Sequence, residues 1–212
     1  MKNRRRHRGR FMLKRYLANC RNPQGRYGKR IVSAMNFGHA PLNKWVYGNV
    51  VFTDGGSVLD VGCGGGGNLL RMLEMCPHSR IDGADYSATS VEKSREYTAE
   101  YADRCSVTCC DVADMPFEDG TYDTVTAFET VYFWHDPVKC FGQIRRVLKS
   151  GGRVVVACEM IDPEKGKFWT KRCEGMTVYS VEELCEIVRK AGFKNVASKV
   201  CKNWGLVTAV AP

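Results

Sequence analysis

A chain of 212 residues with 44% hydrophobic residues can bury one full core, and no apolar run approaches the ~20 residues of a membrane span. The net charge of +9 is uneven: residues 1–44 carry 13 Lys and Arg and no acid, leaving 19 basic against 23 acidic residues beyond them. The basic N-terminus lacks the apolar stretch of a secretory signal, and the eleven cysteines form no CxxC pair. A cytoplasmic protein with buried, reduced thiols is therefore expected, rather than a disulfide framework or a metal site.

Along the chain, residues 11–20 read as a short helix, and Asn22-Pro23-Gln24-Gly25 as a turn. Arg26 to Asn36 is weakly helical, Phe37-Gly38-His39-Ala40-Pro41 breaks it, and Leu42 to Phe52 reads as another helix. Strands and helices then alternate. Strands are expected at Val58–Val61, Arg80–Ala84, Ser106–Cys110, Thr124–Phe128 and Arg153–Cys158. Helices are expected at Asn68–Met75, from a cap at Ser87 to about Ala102, and from Asp136-Pro137 through Leu148. Residues 159–178 read as an irregular connection. Ser180 and Glu183 have capping-box spacing for a helix ended by Gly192. Lys194–Val200 and Leu206–Val210 read as a final antiparallel pair, because their connection is too short for a parallel crossover. The alternation predicts an α/β, Rossmann-like, doubly wound sheet with ligands at the carboxyl ends of its strands.

Ser57 to Asn68, SVLDVGCGGGGN, is a buried strand running into a glycine-rich turn that opens a helix. The run satisfies both a dinucleotide pattern, Gly62-x-Gly64-x-x-Gly67, and an S-adenosylmethionine pattern, Gly62-x-Gly64-x-Gly66. The acids around it separate the two. Asp60 precedes the first glycine, and Asp85 and Asp111 end the next two strands. Three acids at successive strand ends repel phosphates and suit a nucleoside with a cationic sulfonium.

With VLDVGCGGG, GADYS, CCDVADMPFEDGTYDTV and RVLKSGGRVVV in order, residues 45–212 resemble the class I S-adenosylmethionine-dependent methyltransferases, of the group that includes quinone and small-molecule enzymes. The resemblance implies a seven-stranded sheet of order 3-2-1-4-5-7-6 with the last strand antiparallel. It also implies that Asp60, Gly62, Gly64 and Gly66 hold the methionine part of the cofactor. Asp85 would take the ribose, Tyr86 would lie beside the adenine, and Asp111 with the N–H of Val112 would hold the adenine edge. Phe128 and Glu129 would line the reactive methyl; Cys63, Asn68 and Ser90 complete the cofactor set. Residues 1–44 would form a basic arm and helical lid, and 45–212 the catalytic domain, turning S-adenosylmethionine into S-adenosylhomocysteine with no metal.

Methyl transfer from a sulfonium needs a nucleophile placed ~3 Å from the methyl and the exclusion of water. A base is needed only if the acceptor must lose a proton. Candidates near the acceptor are Glu129, Tyr132 and His135 after the fourth strand, and Asn36 and His39 in the lid. Tyr132 and Trp134 are expected to wall a pocket, Trp45 and Tyr47 to pack under the lid, and Glu159-Met160 with Phe168 and Trp169 to form a third wall. With no added domain for a polymer, a small-molecule acceptor is expected. The alternatives are an RNA or protein acceptor engaged by basic residues 1–30, thiol or metalloid methylation through Cys105, Cys109 and Cys110, or cofactor binding without catalysis.

Overall fold

The computed structural model describes Asn19 and residues 21–212. The helix expected over 11–20, Asn19 apart, and the Arg-rich first ten residues lie outside them.

Two helices, α1 (Gly25–Gly38) and α2 (Ala40–Tyr47), precede the sheet. The strands are β1 (Ser57–Val61), β2 (Arg80–Asp85), β3 (Val107–Cys109), β4 (Tyr122–Phe128), β5 (Leu148–Cys158), β6 (Lys194–Cys201) and β7 (Trp204–Val210). Helix α3 (Gly67–Met75) follows β1, α4 (Ala88–Tyr97) follows β2, and α5 (Pro137–Val147) follows β4. Helices α6 (Pro163–Thr170) and α7 (Val181–Lys190) lie between β5 and β6. The sheet order is β3-β2-β1-β4-β5-β7-β6. Strands β1 to β5 run parallel, and β7 pairs antiparallel with both β5 and β6. This is the topology expected from the sequence.

Alternation along each strand divides the core between two faces. Val58 packs with Leu69, Met72 and Leu73 of α3 and Val91 of α4. Its neighbour Leu59 packs on the other face with Phe141 and Ile144 of α5 and Leu184 and Val188 of α7. In β5, Val154 and Val156 join that second group, while Val155 meets Leu42 and Val46 of α2. Both faces are covered, so the parallel strands are apolar throughout.

Several elements differ from expectation. The helix expected over 42–52 ends at Tyr47. A break falls at His39 as expected, but α2 already starts at Ala40. The boundary expected at residue 44 cuts through α2, whose Leu42 and Val46 are 0% exposed beneath the sheet. The helix expected to about Ala102 stops at Tyr97 and yields to a single tighter turn at Ala99–Tyr101. The connection 159–178 contains α6, because Asp162 accepts from the amides of Glu164 and Lys165 and Pro163 fits the first turn. Strand β5 begins at Leu148, not Arg153, pairing with Tyr122 across an irregular step.

The order reverses between β1 and β4. There the carboxyl ends of β1, β2, β4 and β5 border a crevice, where an open α/β sheet binds ligands.

Candidate active site

The glycines after β1 serve different purposes. The amides of Gly62 and Cys63 both donate to the Ala84 carbonyl, at 2.7 and 3.1 Å, turning the chain off the strand. A Cβ on Gly62 would lie 2.2 Å from Thr130 Oγ1, and the residue sits at φ +70. Gly64, at φ +55, has nothing within 4 Å of such a Cβ, so it faces the open crevice. Gly65 and Gly67 admit α1: a Cβ would lie 2.5 Å from Val32 Cγ1 and 2.9 Å from Asn36 Cγ respectively. Gly66 abuts Ser94 of α4 and does not line the crevice.

Acids stand along this floor. Asp60 is 2% exposed and accepts from the Thr126 hydroxyl at 2.5 Å. Burial, with the charge of Asp85 adding to it, pushes the Asp60 carboxyl up to about 7. Asp85 Oδ2 accepts from the Gly64 amide at 2.9 Å and Oδ1 from the Ser87 amide at 2.8 Å. Burial holds it above the usual carboxylate range in spite of those bonds. Ser90 lines the crevice near Asp85. Farther out, Tyr86, Asp111, Val112 and His135 line the continuation of the same crevice, and Asp111 accepts from the Ala113 amide at 2.8 Å. Asn68 takes a short hydrogen bond from the Tyr47 hydroxyl, while its own Nδ2 is buried without a partner. Cys63 lies in the loop, 6% exposed, with Sγ 3.6 Å from the Ser94 hydroxyl.

At the inner end the joint of α1 and α2 meets the tips of β4 and β5. Asn36 Nδ2 donates to the Gly65 carbonyl at 3.1 Å, tying α1 to the glycine loop. His39 stands at the joint of α1 and α2. Phe128 lines the crevice and packs against Tyr47, which also meets Phe52. Glu129 follows Phe128 at φ +59, a conformation that side chains other than glycine rarely hold unless their surroundings impose it. That turn aims its carboxylate under the lid, where the side chain is 11% exposed. Oε1 accepts from the Tyr132 hydroxyl at 3.1 Å and from the Glu159 amide at short range. Oε2 lies 3.7 Å from His39 Nδ1, and Glu159 Oε2 lies 3.4 Å from the same nitrogen. Nδ1 is buried and completes no hydrogen bond in that position. Burial pushes the Glu129 carboxyl up to about 7, against the pull of His39 and with Glu159 adding to it. Burial by itself would lower the His39 imidazole, but the two carboxylates outweigh it and hold it above its ordinary range.

Among the acceptor-side residues expected from the sequence, His39 and Glu129 converge and Asn36 sits beside them on the lid. The other two are placed elsewhere. Tyr132 is 2% exposed and lies behind Glu129, donating to it and accepting from the Met160 amide at 2.9 Å, so it braces the carboxylate and does not wall the pocket. His135 is exposed at the outer end of the crevice, and its neighbour Asp136 caps α5 through the Lys139 amide at 3.0 Å. Trp134 is 8% exposed and packs edge-on against Phe141. Trp45 packs on Trp204, and Phe168 stacks under the Arg172 guanidinium at the surface. Thr130 and Arg21, which line both halves of the crevice, and Asn43, in its inner half, belong to no motif that would assign them a role from sequence. Glu159 was readable as a wall but not as a partner of His39. Among the described residues, seven of ten cysteines are buried, and the one group able to converge on a metal is His39, Glu129 and Glu159, not a thiol cluster.

Residues 59–156 match the family described as a methyltransferase domain. The domain belongs to the class I S-adenosylmethionine-dependent methyltransferases. Over 145 residues the chain is 33% identical to the chloroplastic 2-methyl-6-phytyl-1,4-hydroquinone methyltransferase 2 of Oryza sativa, covering 67% of this chain and 40% of the relative. Over 100 residues it is 33% identical to a sterol 4-C-methyltransferase of Caenorhabditis elegans, covering 46% and 29% of the two chains. The chain thus spans well under half of these curated methyltransferases. Among solved structures, the putative methyltransferase in complex with the Haloferax volcanii Trm112 activator superposes with a TM-score of 0.77 at 25% identity, covering 85% of this chain and 93% of that one. A geranyl diphosphate C-methyltransferase from Streptomyces coelicolor, at 16% identity and TM-score 0.70 over 90% of this chain and 86% of its own, shares the fold. The methyltransferases of this class take S-adenosylmethionine as their methyl donor.

Proposed function

We propose that the protein moves the methyl group of S-adenosylmethionine to a small-molecule acceptor held under α1 and α2. The observation that carries this reading is the continuity of the crevice. Its two halves share Gly62, Asp85, Thr130 and Phe133, so one groove runs from Asp111 to the His39–Glu129 end.

The residues present fit the cofactor. Gly64 leaves open space, and Asn68 Nδ2 is a buried donor with no partner. Asp60, buried, and Asp85, half-buried, are acids with raised carboxyls that a cationic ligand would relieve. Asp85 with Ser90 would hold the ribose, Asp111 and the Val112 amide the adenine edge beside Tyr86, and Asp60 with the glycine loop the amino-acid end. Bound there, S-adenosylmethionine supplies an activated methyl group. The protein's part is to orient an acceptor, exclude water beneath the lid, and hold the proton the acceptor releases. Residues 25–47 serve as the lid, with α2 also part of the domain core. A small acceptor is favoured because the lid closes directly on the glycine loop through Asn36.

Titration calorimetry with S-adenosylmethionine and S-adenosylhomocysteine tests the reading. Binding of both, weakened about tenfold or more by Asp85→Ala through loss of a charged hydrogen-bond acceptor, is expected. Absence of binding would sink it. Tight binding without product from any acceptor would favour a non-catalytic binding protein. Salt-sensitive affinity for RNA that disappears with residues 1–30 would favour a macromolecular acceptor.

A further inference from the structure

We propose that the acceptor presents an amine nitrogen to His39, Glu129 and Glu159, so that the protein is an N-methyltransferase. The inference rests on the methyltransferase reading and names its substrate class.

The inner end of the crevice is an array of hydrogen-bond acceptors in search of a donor. Glu129 Oε1 is already engaged by the Tyr132 hydroxyl and the Glu159 amide, which leaves Oε2 to face the crevice. Glu159 Oε2 lies 3.4 Å from His39 Nδ1, on the side of the imidazole that Glu129 also approaches. Apart from His39, no donor among the described residues reaches either of those oxygens, and no Lys or Arg among them pairs with either side chain. Asn43, one helical turn beyond His39 on α2, is 9% exposed, lines the same crevice, and has its Oδ1 buried without a partner. His39 Nδ1 is likewise buried and unbonded between the two carboxylates. When both carboxyls are ionised, two carboxylates against one imidazole leave the group anionic even with His39 protonated.

This environment selects among nucleophiles. A phenol, thiol or enol that ionised before transfer would bring a further negative charge to this corner. An alcohol offers one donor. A protonated amine offers three and carries the compensating charge. In the reaction an ammonium proton passes to Glu129 or Glu159, freeing the nitrogen lone pair. That pair forms the N–C bond to the methyl as the C–S bond breaks with its electrons remaining on sulfur. The products are the N-methylated amine and S-adenosylhomocysteine. His39, from the lid, places a titrating group against both carboxylates. Tyr132 acts behind them as a positioning residue.

The test uses the full chain loaded with S-adenosylhomocysteine and two probes of nearly equal shape, 2-phenylethylamine and 2-phenylethanol. The amine is expected to bind about tenfold or more tightly than the alcohol, as charge-assisted hydrogen bonds predict, and Glu159→Gln is expected to remove most of that preference. Glu159 is 30% exposed, so the substitution is compatible with folding, and thermal unfolding of the variant checks it. Equal binding of the two probes, or a preference unmoved by Glu159→Gln, overturns the proposal. So does stoichiometric binding of Mn2+ or Zn2+ alone that Glu159→Gln abolishes, since the corner would then be a metal site. If S-adenosylhomocysteine itself fails to bind, the methyltransferase reading falls and takes this inference with it; loading is measured first, so the two failures are distinct.

Discussion

Gly62 and Gly64 are two residues apart, and the structure gives them opposite sensitivities. An alanine at 62 would drive its Cβ into Thr130, an overlap that nothing flexible can relieve, so Gly62→Ala should destabilise the fold by about 1–3 kcal/mol or more. An alanine at 64 meets only open space and carries just the cost of a left-handed residue, about 1–2 kcal/mol, but projects a methyl toward the cofactor. Denaturant melts should therefore separate the pair one way and cofactor affinity the other. Asp60 and Glu129 form a second residue-scale pair. Each is held up near 7 mainly by burial, so each binds its proton more tightly when folded than an ordinary carboxylate does. Stability from these groups is full below about pH 4 and is lost as pH rises toward 7, and the raised His39 changes it in the same direction. The cofactor-free protein should lose on the order of 1–3 kcal/mol between pH 5 and 7.5 in chemical denaturation. A flat or rising profile would contradict it.

At the scale of elements, α1 buries Ile31 and Val32 but makes few polar ties to the rest of the domain. Asn36 supplies a side-chain bond from α1 to the glycine loop, and Lys29 ties the same helix to Glu92 and Glu96 of α4 at the surface. Exposed ion pairs contribute little. Asn36→Ala should thus change overall stability by only about 1 kcal/mol while raising the cofactor dissociation rate several-fold, as seen in stopped-flow fluorescence. A helix at 163–170 could have been inferred from Asp162-Pro163, a cap followed by a first-turn proline; the intervening Gly166 obscured it. That glycine is required by packing, since a Cβ there would lie 2.7 Å from Val178 Cγ2. Asp162→Ala should unwind α6 locally at a cost of about 1 kcal/mol, detectable as faster amide exchange over 163–170.

Across the whole molecule, α2 belongs both to the lid and to the core. His39 and Asn43 point to the crevice from the same eight-residue neighbourhood in which Leu42 and Val46 are fully buried against Val155 and Leu206. Leu42→Ala should cost about 2–5 kcal/mol by leaving a cavity under the sheet, measured by urea unfolding. Cutting the chain at residue 44 should cost more. Closure of the acceptor site and stability of the domain are therefore coupled through one helix, and the arm cannot be trimmed back to residue 44 without unfolding part of what it covers.

The sequence by itself determined the α/β sheet and singled out Asp60, Gly62, Gly64, Asp85 and Asp111, which line one crevice. Strand alternation, glycine spacing and acids at successive strand ends are local patterns; they give the doubly wound class and, through the short connection before β7, the antiparallel last pair, while the strand order came from the family resemblance. The acceptor half depended on tertiary structure. His39, Glu129 and Glu159 are separated by 90 and 30 residues and share no motif; they meet because α2 folds back over the tips of β4 and β5, adjacent strands whose carboxyl ends open on the same crevice. Tyr132 and His135 looked alike as candidates three residues apart. Only the single tight turn at Val131–Phe133 sends one behind Glu129 and the other to the far end of the groove. Local spacing encodes hydrogen bonds within a turn or a ladder, but the charge of a corner is the sum of groups from separate elements, and only packing brings those groups together.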